Sequence, residues 1–249
     1  LLWVFVLSHP TRGAEPEYDL VLRGGRIVNG TGNPWFQGDL GVRNQRIVAI
    51  GQIEAKRGLR ELDVTGLVVA PGFIDMHSHS DTLLLEDGHA QSKIRQGVTT
   101  EVLGEGRSMG PRVGQLAPRA VEVGGKVYQI RSLADYFGAL KAGGIATNVA
   151  SYVGLGTVWR CVMGDTFNRP SADQLATMKH LVGEAMQQGA WGLSSQVMMP
   201  PGSLATTEEI VELCRQVATF GGLYSTHIRN EGTGVFASVE EAIRIAETA

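Results

Sequence analysis

The feature that most constrains this chain is the alternation, from residue 67 onward, of short apolar strand-like runs with capped amphipathic segments. VVAPGFIDMHS, TTEVLG, IATNVASYVG, AWGLSS and GLYSTHIRN read as strands. Between them lie helices with start signals: Ser171-x-x-Gln174 opens one running to about Gln188, Thr206-x-x-Glu209 a second, and Ser238-x-x-Glu241 a third. LADYFGALKAG supplies a further helix ending in glycines. Strand and helix in regular alternation imply a parallel sheet. Residues 18–66 have a different texture, YDLVLRGGRIVNG, GDLGVRNQRIVAIG and RELDVTG, expected to form two or three hairpins.

The strongest chemical signal is PGFIDMHSHSD at 71–81. LVVAPGFID is apolar enough for a strand buried on both faces. Side chains at i and i+2 of a strand share a side, so His77 and His79 should emerge together at its C-terminal end. Two imidazoles so placed form half of a metal site. Asp75 shares their alternation and is expected to fix an imidazole tautomer from behind, while Asp81 reads as a polar loop residue. His227 closes GGLYSTH in the same kind of position, a third candidate ligand. Glu105, between two glycines just past TTEVLG, is a fourth, and Glu101 starts the same strand farther from the rim. His9, His89 and His180 read as structural or solvated.

Other chemistries find no pattern. There is no nucleophile elbow, P-loop or C-x-x-C, and GEGRSMG lacks the dinucleotide fingerprint. Cys214 falls with Ile210, Leu213 and Val217 on one face of a helix and reads as a small buried hydrophobe. A net charge of −3 on 249 residues gives no footprint for nucleic acid. The opening LLWVFVLSHPTRGAEPEYD is too short an apolar run to span a bilayer, so no stable membrane insertion is expected. It looks like the core and tail of a secretory signal over residues 1–14, with a cleavage candidate after Ala14. That implies an exported protein, periplasmic or secreted, or a cytoplasmic one if the run is not a signal. No initiator Met precedes it, and the chain stops inside SVEEAIRIAETA; both ends read as those of a piece of a longer protein.

Together, VVAPGFIDMHSHSD, QGVTTEVLGEG, NVASYVGLGTVWRCVMG, GAWGLSSQVMMPPGSLATTEEIVELC and GGLYSTHIRNEG resemble, in order, the D-aminoacylase (N-acyl-D-amino-acid deacylase) family of the amidohydrolase superfamily. The resemblance covers residues 18–249 and implies an α/β fold. Residues 67–249 would form the first five or so units of a metal-dependent (β/α)8 barrel, and residues 18–66 one share of a small β-sandwich. It makes His77 and His79 metal ligands after the first strand and His227 the ligand after the fifth. The family often carries a ligand cysteine in a Gly-Asn-Cys-Gly context. Here Gly104-Glu105-Gly106 stands in that stretch, placing a carboxylate where the thiolate would be, and Leu155 replaces an expected histidine.

The implied activity is hydrolysis of the amide of a small N-acyl D-amino acid. One or two Zn2+ ions, held by His227 and Glu105 with His77 and His79, would lower the pKa of a bound water toward ~7 and polarise the carbonyl. Arg229 is a candidate for the substrate carboxylate, against a surface salt bridge. The family's general-base aspartate and a further histidine are expected beyond residue 249, so residues 1–249 alone are expected to be inactive. Two alternatives stand beside this reading. One is a cyclic-amide hydrolase of the hydantoinase or dihydroorotase type, against which Lys93, Lys126, Lys141 and Lys179 all fall away from strand ends. The other is a non-catalytic exported binding module.

Overall fold

The computed structural model describes residues 16–249, and the leader-like residues 1–14 lie outside them. The chain divides into two compact units, one ending at Pro71 and one spanning Gly72–Ala249.

The first unit is a single sheet. Strands β1 (Tyr18–Ile27), β2 (Phe36–Arg43) and β3 (Arg46–Gly51) form an antiparallel meander. β4 (Gly58–Asp63) and the two-residue β5 (Val68–Val69) then return alongside β1 in parallel. Hairpins therefore account for only part of this segment. The connection from β3 to β4 crosses back past β2 and β1, and β5 then continues along the same side of β1, which periodicity within one strand cannot show. Arg23 of β1 links the strands on either side of it: its guanidinium donates to Asp39 of β2 at 2.9 Å and to Glu61 of β4 at 2.7 Å.

In the second unit β6 (Phe73–Asp75) and β7 (Val98–Leu103) pair in parallel, flanked by the one-turn helices α1 (Leu83–Glu86) and α2 (Gln91–Ile94). A hairpin of β8 (Arg119–Val123) and β9 (Lys126–Ile130) follows, then helix α3 (Leu133–Gly143). Next come β10 (Asn148–Ser151), β11 (Val153–Gly154), α4 (Leu155–Met163), α5 (Ala172–Gln187), β12 (Gly192–Gln196), α6 (Thr207–Ala218), β13 (Leu223–His227) and α7 (Val235–Thr248). β10 adds in parallel to β7, and β11, β12 and β13 form a second parallel set. Tyr152 N donates to Leu103 O and Trp191 N to Ser151 O, both at 2.9 Å. The single segment 148–154 thus passes from the first set to the second. The parallel strands therefore follow one another in space in chain order, as expected of repeated β/α units.

The helices pack because their apolar residues recur at helical spacing. α6 buries Ile210, Val211, Leu213, Cys214 and Val217; α5 buries Met178, Leu181, Val182, Ala185 and Met186. The predicted capping boxes at Ser171 and Thr206 are both present, and Ser132 with Asp135 makes a third ahead of α3. Both cysteines are free and buried. Among the described residues no helix is long and apolar enough to cross a membrane.

Two expectations need correction. LVVAPGFID is not one strand buried on both faces. Val68 and Val69 belong to the first unit's sheet, Pro71 and Gly72 break the run, and β6 is a three-residue edge strand with Phe73 and Ile74 exposed. Ser238 does not open the last helix either. α7 starts at Val235, and the Ser238 hydroxyl lies inside it, accepting the Asn230 amide at 2.9 Å.

Candidate metal centre

His77 and His79 lie just beyond the end of β6, in a bend rather than on the strand. Their pairing survives because the bend is anchored. Ser78 N donates to Val102 O at 3.0 Å, continuing the β6–β7 ladder, and the buried Ser78 hydroxyl donates to Glu101 at 2.7 Å. With the middle residue held inward, both imidazoles turn the same way. Their Nε2 atoms stand 3.0 Å apart, and the His227 ring joins them with its centroid 4.8 Å from that of His77.

Asp75 supports this bend differently from the expectation. Its Oδ1 accepts the backbone amide of His77 at 3.2 Å, and its Oδ2 meets Lys93 Nζ at 2.5 Å; it contacts the loop backbone, not an imidazole. The contact with Lys93 holds the Asp75 carboxyl below its ordinary pKa against the effect of burial. Behind it Glu101 is wholly buried, accepting from Ser78 and, at 3.0 Å, from Thr147, with Lys93 Nζ at 3.6 Å. Its only sequence signal was a carboxylate inside a strand otherwise fit for burial.

Glu105 follows β7 and is buried. Gly104 and Gly106 on either side have φ of +83° and +65°, which turn the chain sharply enough to point the carboxylate inward. Ser194 clamps the turn, donating to Gly104 O at 2.5 Å and accepting from Gly106 N at 2.9 Å. Ser225 Oγ donates to Glu105 Oε1 at 3.1 Å. Ser225 and His227 share a face of β13, and register pairs them with Ser194 and Gln196 of β12. One face of these strands therefore carries the whole polar constellation. Ser195 points the other way, into a closed hydroxyl cluster with Tyr224 at 2.8 Å and Thr226 at 2.7 Å.

A Cβ at Gly104 would lie 2.3 Å from Tyr152 O. Gly104→Ala is therefore expected to destabilise the second unit by about 2 kcal/mol or more, from left-handed strain plus the clash, read as a fall in the denaturant midpoint.

Asp81 is not a plain loop residue. Its Oδ1 is buried without a hydrogen-bond partner, and burial pushes the carboxyl up to about 6. Arg229 is turned away from the histidines. Its guanidinium holds both carboxylate oxygens of Glu241, with the shortest contacts at 2.7 and 2.9 Å, and Ala205 O at 3.1 Å, the salt-bridge alternative for this residue. His180 is exposed beside Glu184, and His89 is exposed.

The donor chemistry suits a borderline divalent ion: imidazoles and a carboxylate at strand C-terminal ends. A zinc–imidazole bond is ~2.0–2.1 Å, so nitrogens 3.0 Å apart lie within the reach of one ion. His227 Nδ1 stands 3.5 Å from Glu231, a carboxylate placed to orient that ring. Among the described residues no group of three or more His, Cys, Asp or Glu side chains is gathered as a finished metal cage. The fit rests on the His77–His79 pair and the convergence of His227.

A family model, the amidohydrolase family, matches residues 60–249. The chain belongs to the amidohydrolase family. It is 42% identical over 231 residues to the D-aminoacylase of Alcaligenes xylosoxydans xylosoxydans, an alignment that covers 92% of this chain and 48% of that protein. A crystal structure of D-aminoacylase superposes with a TM-score of 0.83 at 39% identity, over 93% of this chain and 49% of that one. The N-acyl-D-glutamate deacylase of Bordetella bronchiseptica, solved with zinc and a phosphonate mimic of the tetrahedral intermediate, gives 0.83 at 36% identity, over 92% and 49%. The chain thus spans about half the length of the relatives it matches.

Proposed function

We propose that the protein to which this amidohydrolase chain belongs is a zinc-dependent hydrolase of the amide bond of N-acyl D-amino acids. The observation that carries this reading is the convergence of His77 and His79, just after β6, with His227, at the C-terminal end of β13. The relatives add the substrate class. They include a D-aminoacylase, an N-acyl-D-aspartate deacylase and an N-acyl-D-glutamate deacylase, and a solved D-aminoacylase has been described with a binuclear metal centre. The full architecture we infer is a (β/α)8 barrel to which residues 67–249 contribute the first units, with residues 18–66 in a small β-sandwich. The chain-order parallel strands support it.

In this reading His77, His79, His227 and Glu105 hold one or two Zn2+ ions. The ion supplies a Lewis acid for the amide carbonyl and lowers the pKa of water. The chain's own residues set the stage: Ser225 orients the Glu105 carboxylate, Ser194 fixes the turn that carries it, and Asp75 and Ser78 hold the H-x-H bend. Export through residues 1–14 is part of the proposal and rests on the sequence of that segment alone.

The test is an assay of the full-length protein on N-acetyl-D-methionine and its L enantiomer, before and after chelation. Hydrolysis of the D form at least about tenfold faster, abolished by chelator and restored by zinc, is expected. Equal turnover of both enantiomers, or turnover indifferent to chelation, contradicts the reading.

A further inference from the structure

Beside the histidines the second unit holds a cavity of about 450 Å³ lined by His79, Glu105 and four arginines, Arg107, Arg112, Arg119 and Arg160. Four guanidinium groups in one cavity repel one another unless anions intervene. Among the described residues only Arg160 has a carboxylate partner, Asp165 at 2.9 Å. Arg112 spends Nε on Ala117 O at 2.9 Å, and Arg119 reaches no closer than 3.9 Å to Met109 Sδ. Burial, then Arg119 and Arg160, hold Arg112 below its ordinary pKa. Glu105 and Asp81 share the lining, but Glu105 accepts from Ser225 Oγ at 3.1 Å, and among the described residues neither carboxylate is paired with Arg107, Arg112 or Arg119.

An N-acyl amino acid brings one carboxylate, fewer than the three unpaired forks can take. We infer that the substrates of this protein carry a second carboxylate, bound by Arg107, Arg112 and Arg119 in the cavity beside His79. This rests on the proposed hydrolase reading. The second carboxylate comes from an acidic amino-acid side chain or from a dicarboxylic acyl group, and both present the same bidentate acceptor to arginine.

Two matched pairs separate these sources in the full-length protein: N-acetyl-D-glutamate against N-acetyl-D-glutamine, and N-succinyl-D-methionine against N-butyryl-D-methionine. Binding by calorimetry is measured beside kcat/KM. The dianionic member of one pair should bind at least about tenfold tighter, and the favoured pair names the source. Arg112→Met should cut that preference to near unity, and so should Arg119→Met. Arg107→Met, at an exposed position, keeps the test available should the Arg112 variant fail to fold. Neutral members bound as tightly in both pairs, or a preference untouched by all three substitutions, would overturn the inference. Tight, arginine-dependent binding without hydrolysis of any compound would sustain it and overturn the hydrolase reading instead.

Discussion

Replacing His77 by alanine in the full-length protein should remove stoichiometric zinc and lower amide turnover by at least ~10³-fold, beyond the 10–100-fold typical when only an outer partner of a metal ligand is lost. The expectation follows from the position of this ring between the other two. Its Nε2 is 3.0 Å from that of His79, and its centroid is 4.8 Å from that of His227. Removing it withdraws one donor and leaves the remaining rings without their shared neighbour. Because His77 is exposed, the fold should tolerate the change. The variant should therefore melt within a few degrees of the zinc-free parent. Metal content by mass spectrometry, with turnover of N-acetyl-D-methionine, checks it. A variant that keeps both its zinc and its activity would remove His77 from the site.

The second large effect belongs to a residue that touches no substrate. Glu101→Leu should cost about 3 kcal/mol of stability, because the hydroxyls of Ser78 and Thr147 would be left in a buried space without their acceptor. Glu101 is wholly buried and binds them at 2.7 and 3.0 Å, with Lys93 nearby at 3.6 Å. The loss should extend to zinc retention, since Ser78 is the residue between the two histidines and its hydroxyl is one of the anchors of the bend. Urea unfolding and a zinc titration on the same variant check both parts. Wild-type stability would show that the network is solvated rather than closed.

The parts of this fold legible in the sequence are those governed by local rules. The caps at Ser171 and Thr206 and the buried face Ile210–Leu213–Cys214–Val217 follow from spacing along one helix, and all are present. The i, i+2 spacing of His77 and His79 predicted rings on one side, and their nitrogens meet. The bend that brings them together was not legible, because it is set by partners distant in sequence, Val102, Glu101 and Lys93. The run before it read as one buried strand, yet Pro71 and Gly72 divide it between two sheets. The parallel returns of β4 and β5 escaped for the same reason, since alternation within a strand does not name its neighbour. Asp81, ordinary in sequence, becomes a buried carboxyl with a bare oxygen only when the chain closes over it. The arginines of the cavity are four unremarkable surface residues until β7, β8 and α4 bring their neighbourhoods together.

The most direct test of the account is an anomalous-difference map at the zinc edge, from crystals of the full-length protein grown with zinc. A peak is expected within bonding distance, ~2.0–2.2 Å, of the imidazoles of His77 and His79 or of His227 and Glu105. Zinc found only at other residues, or no peak in a protein that still hydrolyses N-acyl D-amino acids, would contradict it.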